Sequence, residues 1–404
     1  KWHRDSKISQ PSAQRSTAHD IPFTTCSGGH STAGTSSSDG GTVIHLELMR
    51  DMFVDVGKRL ITFGGSCTWK EVDAEAWRHG LATVGGTVSH TGVGGLILGG
   101  GQGMLSGQHG VAVDCLVEAE VVLADGSIVT ASETENADLF WGLRGAGASF
   151  GVVTRFTSEV FPQGRIWSGP LMFPMAKLPE LVAWTNAFIE RMDERQSMII
   201  GFTYGPPSRS TPLIMVQPFH NGTGKEAVEG AFKGFIELGS HNEHDERDGL
   251  PGTTVTAPLE LSKWEELSRA FYAYIDAETE QGNDMRASLL GVEIYKKDRV
   301  TSVRLGATAY SNRGMYFDVL VLASWTDPDK DGTIRRWHGE LARRIKEGNQ
   351  KGEDDGVGQY SNYSCVVVDV KLGFGDKAKR LVELKSKFDP ANRFAKSPWK
   401  IAAP

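Results

Sequence analysis

Three groups of residues in this chain of 404 have types and spacings that could do chemistry. His30 stands at the tip of Cys26-Ser27-Gly28-Gly29-His30-Ser31. A Gly-Gly turn running into a Ser/Thr-rich loop presents its imidazole from exposed backbone, which suits a ligand contact or a nucleophilic attachment point. The stretch Gly80–Gly103, GLATVGGTVSHTGVGGLILGGGQG, holds ten glycines in 24 residues. Main chain without side chains can close on a large ligand, and successive N–H groups form an anion-binding concavity. Nucleotide, phosphate and plain structural loop all fit that stretch alone. Tyr360-Ser361-Asn362-Tyr363 sets two phenols around an amide. It can line a polar pocket, and equally it can be a half-buried strand.

Other chemistries are disfavoured by pattern. No Gly-Lys-Ser/Thr follows the glycines, so they do not form a P-loop. A dinucleotide-binding βαβ turn needs a helix next and an acidic residue about 20 positions on, whereas MLSGQHGVAVD after Gly103 is not a clear amphipathic helix. Gly147-Ala148-Ser149-Phe150-Gly151 fits a hydrolase nucleophile elbow, which needs a strand before the serine and a helix after it. Here helical DLFWGLRG precedes it and the strand VVTRFTSEVF follows. The 11 histidines include no His-x-x-x-His pair on a helix with a third ligand. Cys26, Cys67, Cys115 and Cys365 are too scattered for a zinc ribbon. No metal site is expected, and the cysteines read as buried free thiols or one disulfide.

A net charge of -7 without a basic stripe argues against a nucleic-acid partner. No apolar run reaches the roughly 18 residues of a membrane span. The polar start, KWHRDSKISQPSAQRSTAHD, is not a signal peptide. Asn221-Gly222-Thr223 is a glycosylation acceptor in a secreted chain, so a secretory-pathway location is compatible with the sequence.

The elements that must position these residues follow from periodicity. Strands are expected at Gly41–Leu48, Leu60–Phe63, Leu116–Ala124, Ser127–Thr130 and Gly151–Phe161, with Asp125-Gly126 turning a hairpin. Helices are expected at Val72–His79, ended by Gly80, and at Glu135–Leu143. Beyond residue 166 the texture changes. Helices are expected at Leu178–Arg195, with Pro179 in its first turn, and at Lys225–Leu238, Leu261–Ala277 and Gly332–Gly348. Strands are expected at Met198–Gly205, Thr211–Phe219, Ser302–Ala309 and Tyr316–Ser324. Asn242–Gly252 and Lys346–Gly358 have loop composition. Asp376–Phe388 is amphipathic, with Ala378, Leu381, Leu384 and Phe388 on one face, and Asp389-Pro390 stops it. The mixture is α+β: sheets with helices segregated onto them.

Taken in order, SGGHS at 27–31, TVGGTVSHTGVGGLILGGGQG at 83–103, HGVAVDCLVEAEVVLADGSIV at 109–129, DLFWGLRGAGASFGVVTRF at 138–156, YSNY at 360–363 and KAKRLVELKSKFDPANRF at 377–394 resemble one family. It is that of the FAD-linked oxidases of the vanillyl-alcohol-oxidase superfamily, with a PCMH-type FAD-binding domain, in its berberine-bridge-enzyme-like branch. The resemblance covers nearly the whole chain. It implies a two-lobed FAD-binding domain from residues 1–165 and 356–404. Residues 166–355 would be an inserted α+β substrate domain, an antiparallel sheet flanked by helices. Residues 1–20 are few and polar for the strand-helix-strand unit that relatives carry first, which implies a truncated or reduced first lobe.

The resemblance also implies roles. Ser27, Gly28, Gly29 and Ser31 would shape the turn around His30, which would carry FAD through an 8α-histidyl bond. Gly86, Thr87, His90, Thr91, Gly92, Gly94, Gly95, Gly99 and Gly103 would line the pyrophosphate and ring. Gly151, Val152 and Val153 would lie near the adenine, and Asn362 would hold the ring edge. Tyr360 or Tyr363 would take the substrate proton. Tyr310 and Asn312 are pocket candidates, with ordinary sheet packing as the alternative. Three departures stand out. Cys26 occupies a position that is Arg in many relatives. Val88 stands where bicovalent relatives have cysteine, which implies single attachment. Val93, small and at the oxygen-gating position, favours O2 as acceptor.

The implied function is oxidation of a C–H bond next to O or N in a sugar, alcohol, alkaloid or other secondary metabolite. Hydride would pass to flavin N5, and O2 would be reduced to hydrogen peroxide. The alternatives are an inactive flavin-binding protein and a flavin-dependent dehydrogenase or cyclase with another acceptor. A monomer or weak homodimer is expected.

Overall fold

The structure, a computed structural model, describes residues 14–16, 18–19, 21–205, 209–238, 252–255, 258–348, 360–363 and 367–402. The chain forms two compact units. One contains Lys1–Gly164, Arg299–Gly314 and Gly356–Pro404; the other contains Arg165–Asp298 and Met315–Asp355.

The first unit is built on a five-stranded antiparallel sheet. Its order is Met52–Asp55, Leu60–Gly64, Val152–Glu159, Leu116–Val122, Ile128–Ser132. Alternation in LVEAEVV buries Ala119 and Val121 while Glu118 is exposed, the half-buried pattern that fixes register. The expected hairpin closes through Leu123 to Ser127, with Gly126 at φ 82 and the Ser127 N–H donating to Asp125 Oδ1 at 2.8 Å. A short parallel pair, Phe23–Cys26 with Thr42–His45, lies beside a small core of Phe23, Ile44, Leu46, Val152 and Phe394. The strand expected at Gly41–Leu48 is shorter, because its pairing ends at Cys26 with His45, and Leu48 beyond it is 76% exposed.

The second unit is a seven-stranded antiparallel sheet, its longest pairing that of Gln196–Tyr204 with Pro212–His220. Helices Leu178–Arg191, Leu261–Glu280 and Asp331–Gly348 flank it. Its core collects Phe173, Phe188, Ile200, Phe202, Phe235 and Phe271. Lys297 and Asp318 form a buried ion pair at 3.3 Å, with the ammonium 3.9 Å from the Tyr295 ring centroid.

Several expectations are corrected. The helix expected at Val72–His79 is Trp69–Trp77; Thr68 caps it and Glu71 closes a capping box, a Thr-x-x-Glu start signal. The helix expected over Lys225–Leu238 is broken into Gly224–Glu226, a π-helical Ala227–Ala231 and Lys233–Glu237. Ser302–Ala309 is not a strand, because its backbone pairs with other segments of the first unit. Ala309 N–H donates to Trp141 O at 3.1 Å and Tyr310 N–H to Arg144 O at 2.7 Å. Arg299–Gly314 thus interrupts the stretch expected as one insertion at 166–355. Cys26, Cys67 and Cys115 are buried free thiols. Cys365, and the Asn242–Gly252 loop up to residue 251, lie outside the described residues.

Candidate active site

Inside the glycine-dense stretch, Val93–Leu98 forms a six-residue helix with Gly92 as its N-cap. Intrinsic propensity does not explain it, since two of its six residues are glycine. Contacts do. The Val93 N–H donates to Cys67 O at 2.9 Å, and a Cβ on Gly94 would come within 3.0 Å of Gly65 O and Ser27 Oγ.

The N-terminal end of this helix meets the His30 turn. Ser27 Oγ donates to Gly65 O at 2.7 Å, and Ser66 Oγ donates to Ser27 O at 3.2 Å. Gly28 packs directly on Gly92, and Gly29 turns the chain at φ 72, a left-handed conformation that glycine adopts freely. His30 and His90 are exposed and stacked, with centroids 4.8 Å apart and planes at 26°. Their facing nitrogens, Nε2 of His30 and Nδ1 of His90, are 3.0 Å apart. One of the two must donate and the other accept.

The other end of the helix meets the tyrosines. Ser361–Tyr363 is a 3-10 turn, not a strand. Asn362 Nδ2 donates to Leu96 O at 2.9 Å and to Tyr360 Oη at 3.0 Å. The Gln102 main-chain N–H also donates to Tyr360 Oη, at 3.0 Å. Tyr360 is buried, and its ring meets Tyr363 edge-on at 4.8 Å and Tyr310 at 6.1 Å. The helix between the two clusters is ~9 Å long at 1.5 Å per residue. The structure therefore brings a histidine pair and a tyrosine–amide cluster to opposite ends of one short helix.

The residues fit a flavin dinucleotide. Gly28, Gly29, His30, Thr87, His90 and Gly95 are exposed, and no protein atom lies within 4 Å of a Cβ built on Gly95. That is a glycine cradle open to a ligand, edged by hydroxyl and imidazole groups. The FAD binding domain family matches residues 12–132. The chain is 34% identical to an FAD-linked oxidoreductase (pgmH) of Aspergillus terreus, over 92% of this chain and 81% of the relative. The chain belongs to the FAD-linked oxidoreductases.

This oxidoreductase shares its fold with a xylooligosaccharide oxidase of Myceliophthora thermophila, at TM-score 0.77 and 24% identity, covering 98% of this chain and 89% of the other. BBE-like 1 of Physcomitrella patens matches at TM-score 0.81 and 18% identity, covering 98% and 89%. No helix among the described residues is long and apolar enough to cross a membrane. No group of three His, Cys, Asp or Glu residues among them could hold a metal.

Within the oxidoreductase, several glycines of the expected cofactor set have packing reasons of their own. A Cβ on Gly86 would meet Trp69 and Leu96, one on Gly103 would meet Gly85 O, and one on Gly151 would meet Val121. Val152 and Val153 point into the protein, at 0% and 3% exposure. Ser149 is fully buried and its hydroxyl pairs with Ser397 Oγ at 2.9 Å, so it is no nucleophile elbow.

Tyr310 and Asn312 are buried and belong to the first unit, not to the inserted one. Asp114 and Arg313 anchor their segment by a two-pronged ion pair at 2.6 and 3.1 Å, with side chains 5% and 1% exposed. Lys377 Nζ donates to Tyr310 O at 2.7 Å and Ala309 O at 3.3 Å. Burial, with Arg313 nearby, lowers the Lys377 pKa to about 7. Gln102, Asp114, Arg313 and Lys377 were not among the sequence candidates. Gln102 had a signal: it is the single polar side chain in ILGGGQG.

Proposed function

We propose that this oxidoreductase oxidises a C–H bond next to oxygen or nitrogen in a small organic substrate. Tyr360 takes the substrate proton, and FAD is held by one covalent bond to His30. The observation that carries this is the short helix Val93–Leu98, with the His30–His90 pair at one end and the doubly hydrogen-bonded Tyr360 at the other. FAD, when bound, supplies the hydride acceptor and passes the electron pair to O2, giving hydrogen peroxide.

The chain's own residues do the rest. Attachment at His30 Nδ1 leaves the bond between Nε2 and His90 intact, and that bond orients the ring. Val88 in place of a second nucleophile supports single attachment. Gln102 and Asn362 aim two N–H groups at Tyr360 Oη, which favours its negative form and its use as a base. Tyr363 packs against the Tyr360 ring and limits its rotation.

Acid precipitation of the purified protein tests the attachment. Yellow colour should stay with the pellet and should be lost from it in His30→Ala; a colourless wild-type pellet overturns the covalent link. Peroxide release on a panel of sugars, alcohols and alkaloids then tests oxidase turnover. Tyr360→Phe should lower kcat at least a hundredfold, and a wild-type rate in that variant removes Tyr360 as the base.

A further inference from the structure

Gln102 touches two of the site's three phenols. Its main-chain N–H donates to Tyr360 Oη at 3.0 Å, and its side-chain Nε2 donates to Tyr310 Oη at 2.9 Å. The residue is 4% exposed, and Gly101 precedes it at φ 81, so the backbone can turn its N–H to one phenol while the side chain runs to the other.

Tyr310 is itself held by both its ring and its backbone. A Cβ on Gly100 or Gly145 would collide with it. Its N–H donates to Arg144 O, and its carbonyl accepts from Lys377. The Arg313 guanidinium lies 5.1 Å from its ring centroid.

We infer that Gln102 is a positioning residue for Tyr360, with Tyr310 as its anchor. The Tyr310–Gln102 bond holds the main-chain N–H against the Tyr360 oxygen and keeps that oxygen an acceptor. Neither donor on Tyr360 can reverse its role. One is main chain. The other is the Asn362 nitrogen, identified as nitrogen because it also donates to Leu96 O, which only accepts. Two fixed N–H groups stabilise the deprotonated phenol oxygen over the neutral one. Shifting the Gln102 N–H by a few tenths of an ångström weakens one of them, and a side chain released from Tyr310 allows that shift. Among the described residues, the titratable and charged groups that face this pair of phenols include Tyr363 on the 360–363 turn, Arg313 with its partner Asp114, and Lys377 at the Tyr310 carbonyl. None of them is altered by the substitutions below. The catalytic consequence rests on Tyr360 being the base; the consequence for its ionisation does not.

The test uses the flavin-loaded protein with Tyr310→Phe, Gln102→Leu and their double variant, each also made with Tyr360→Phe. Phenylalanine keeps the ring that fills the slot beside Gly100, and leucine keeps the main-chain N–H. Tyrosinate absorbance is titrated, and subtracting each Tyr360→Phe partner isolates Tyr360. The Tyr360 midpoint should rise by about one pH unit in each single variant, the equivalent of a tenfold change. It should rise no further in the double variant, because both changes break one link. kcat should fall about tenfold with KM within twofold, and the pH profile should move with the midpoint. An unmoved midpoint in Tyr310→Phe, or shifts that add in the double variant, overturns the inference. A moved midpoint together with full turnover in Tyr360→Phe upholds the positioning and sinks the base. An unmoved midpoint with turnover abolished in Tyr360→Phe does the reverse.

Discussion

Gly28 and Gly92 meet backbone to backbone: a Cβ placed on either would stand 2.6 Å from the other's Cα and main-chain N. This contact joins the histidine turn to the start of the Val93–Leu98 helix. Neither glycine can be enlarged without parting them. Gly92→Ala should cost about 1–3 kcal/mol, as overpacking does, and should lower the flavin-to-protein ratio severalfold. Thermal unfolding and the visible spectrum measure the two effects.

Gly95, three residues on, should behave in the opposite way. Its Cβ would meet no protein atom within 4 Å, and alanine is favoured over glycine inside a helix by about 1 kcal/mol. Gly95→Ala should therefore leave the flavin-free protein as stable or more so, while flavin loading falls. Unchanged loading would show that the open space beside Gly95 is not where the cofactor lies.

The ion pair of Asp114 and Arg313 adds a buried charged tie to the backbone bonds that join Arg299–Gly314 to the first unit. Removing one charge strands the other away from water, which typically costs 3–5 kcal/mol. Asp114→Asn should show that loss in denaturant unfolding. Amide hydrogen exchange across 299–314 should rise more than in the five-stranded sheet, because the segment opens before the unit does. Uniform exchange across the unit would mean that the pair is not a local anchor.

Sequence reasoning reached the sheet more readily than the site, for physical reasons. Leu116–Val122 and Ile128–Ser132 are rich in β-branched and apolar residues around an Asp-Gly turn, a local hairpin signal, although their burial does not alternate strictly. Ser302–Ala309 alternates, but its backbone partners, Trp141 and Arg144, lie some 165 residues away, beyond any local signal. Val93–Leu98 was invisible as a helix because Gly94 and Gly95 argue against one, and only contacts with Ser27, Gly65 and Cys67 make it. The spacing of Tyr360 and Asn362 allowed a polar pocket or a half-buried strand, and their roles came only from the family resemblance. Gln102 stands out only as the one polar side chain in its glycine run, and its partners, Tyr360 and Tyr310, lie more than 200 residues away.

Lys377 makes stability depend on pH. Its folded pKa of about 7 lies below its ordinary value of 10.5. Below pH 7 both folded and unfolded states hold the proton. Between about 7 and 10.5 the unfolded state binds one proton more, so stability rises with pH. A neutral amine still has two N–H groups for the Tyr310 and Ala309 carbonyls. The denaturation midpoint should rise from pH 7 to pH 9 in the wild type and rise less in Lys377→Met. Equal slopes would show that Lys377 keeps an ordinary pKa.

Lys385 and Asp389 form a further buried pair, at 2.7 Å with both side chains 0% exposed, and this one closes the C-terminal helix. Lys385 Nζ also donates to Ser149 O at 2.7 Å and Phe394 O at 3.2 Å. The Asp389 carboxylate accepts the Arg393 and Phe394 N–H groups at 2.7 and 2.8 Å. Every polar atom is paired, so losing either member leaves several groups buried without partners. Asp389→Ala and Lys385→Met should each cost about 3–5 kcal/mol, on the order of 10 °C in melting temperature for a unit of this size. The double variant should cost well under their sum, since the second change removes a charge that the first had stranded. Additive losses in a double-mutant cycle would mean that the two residues act separately.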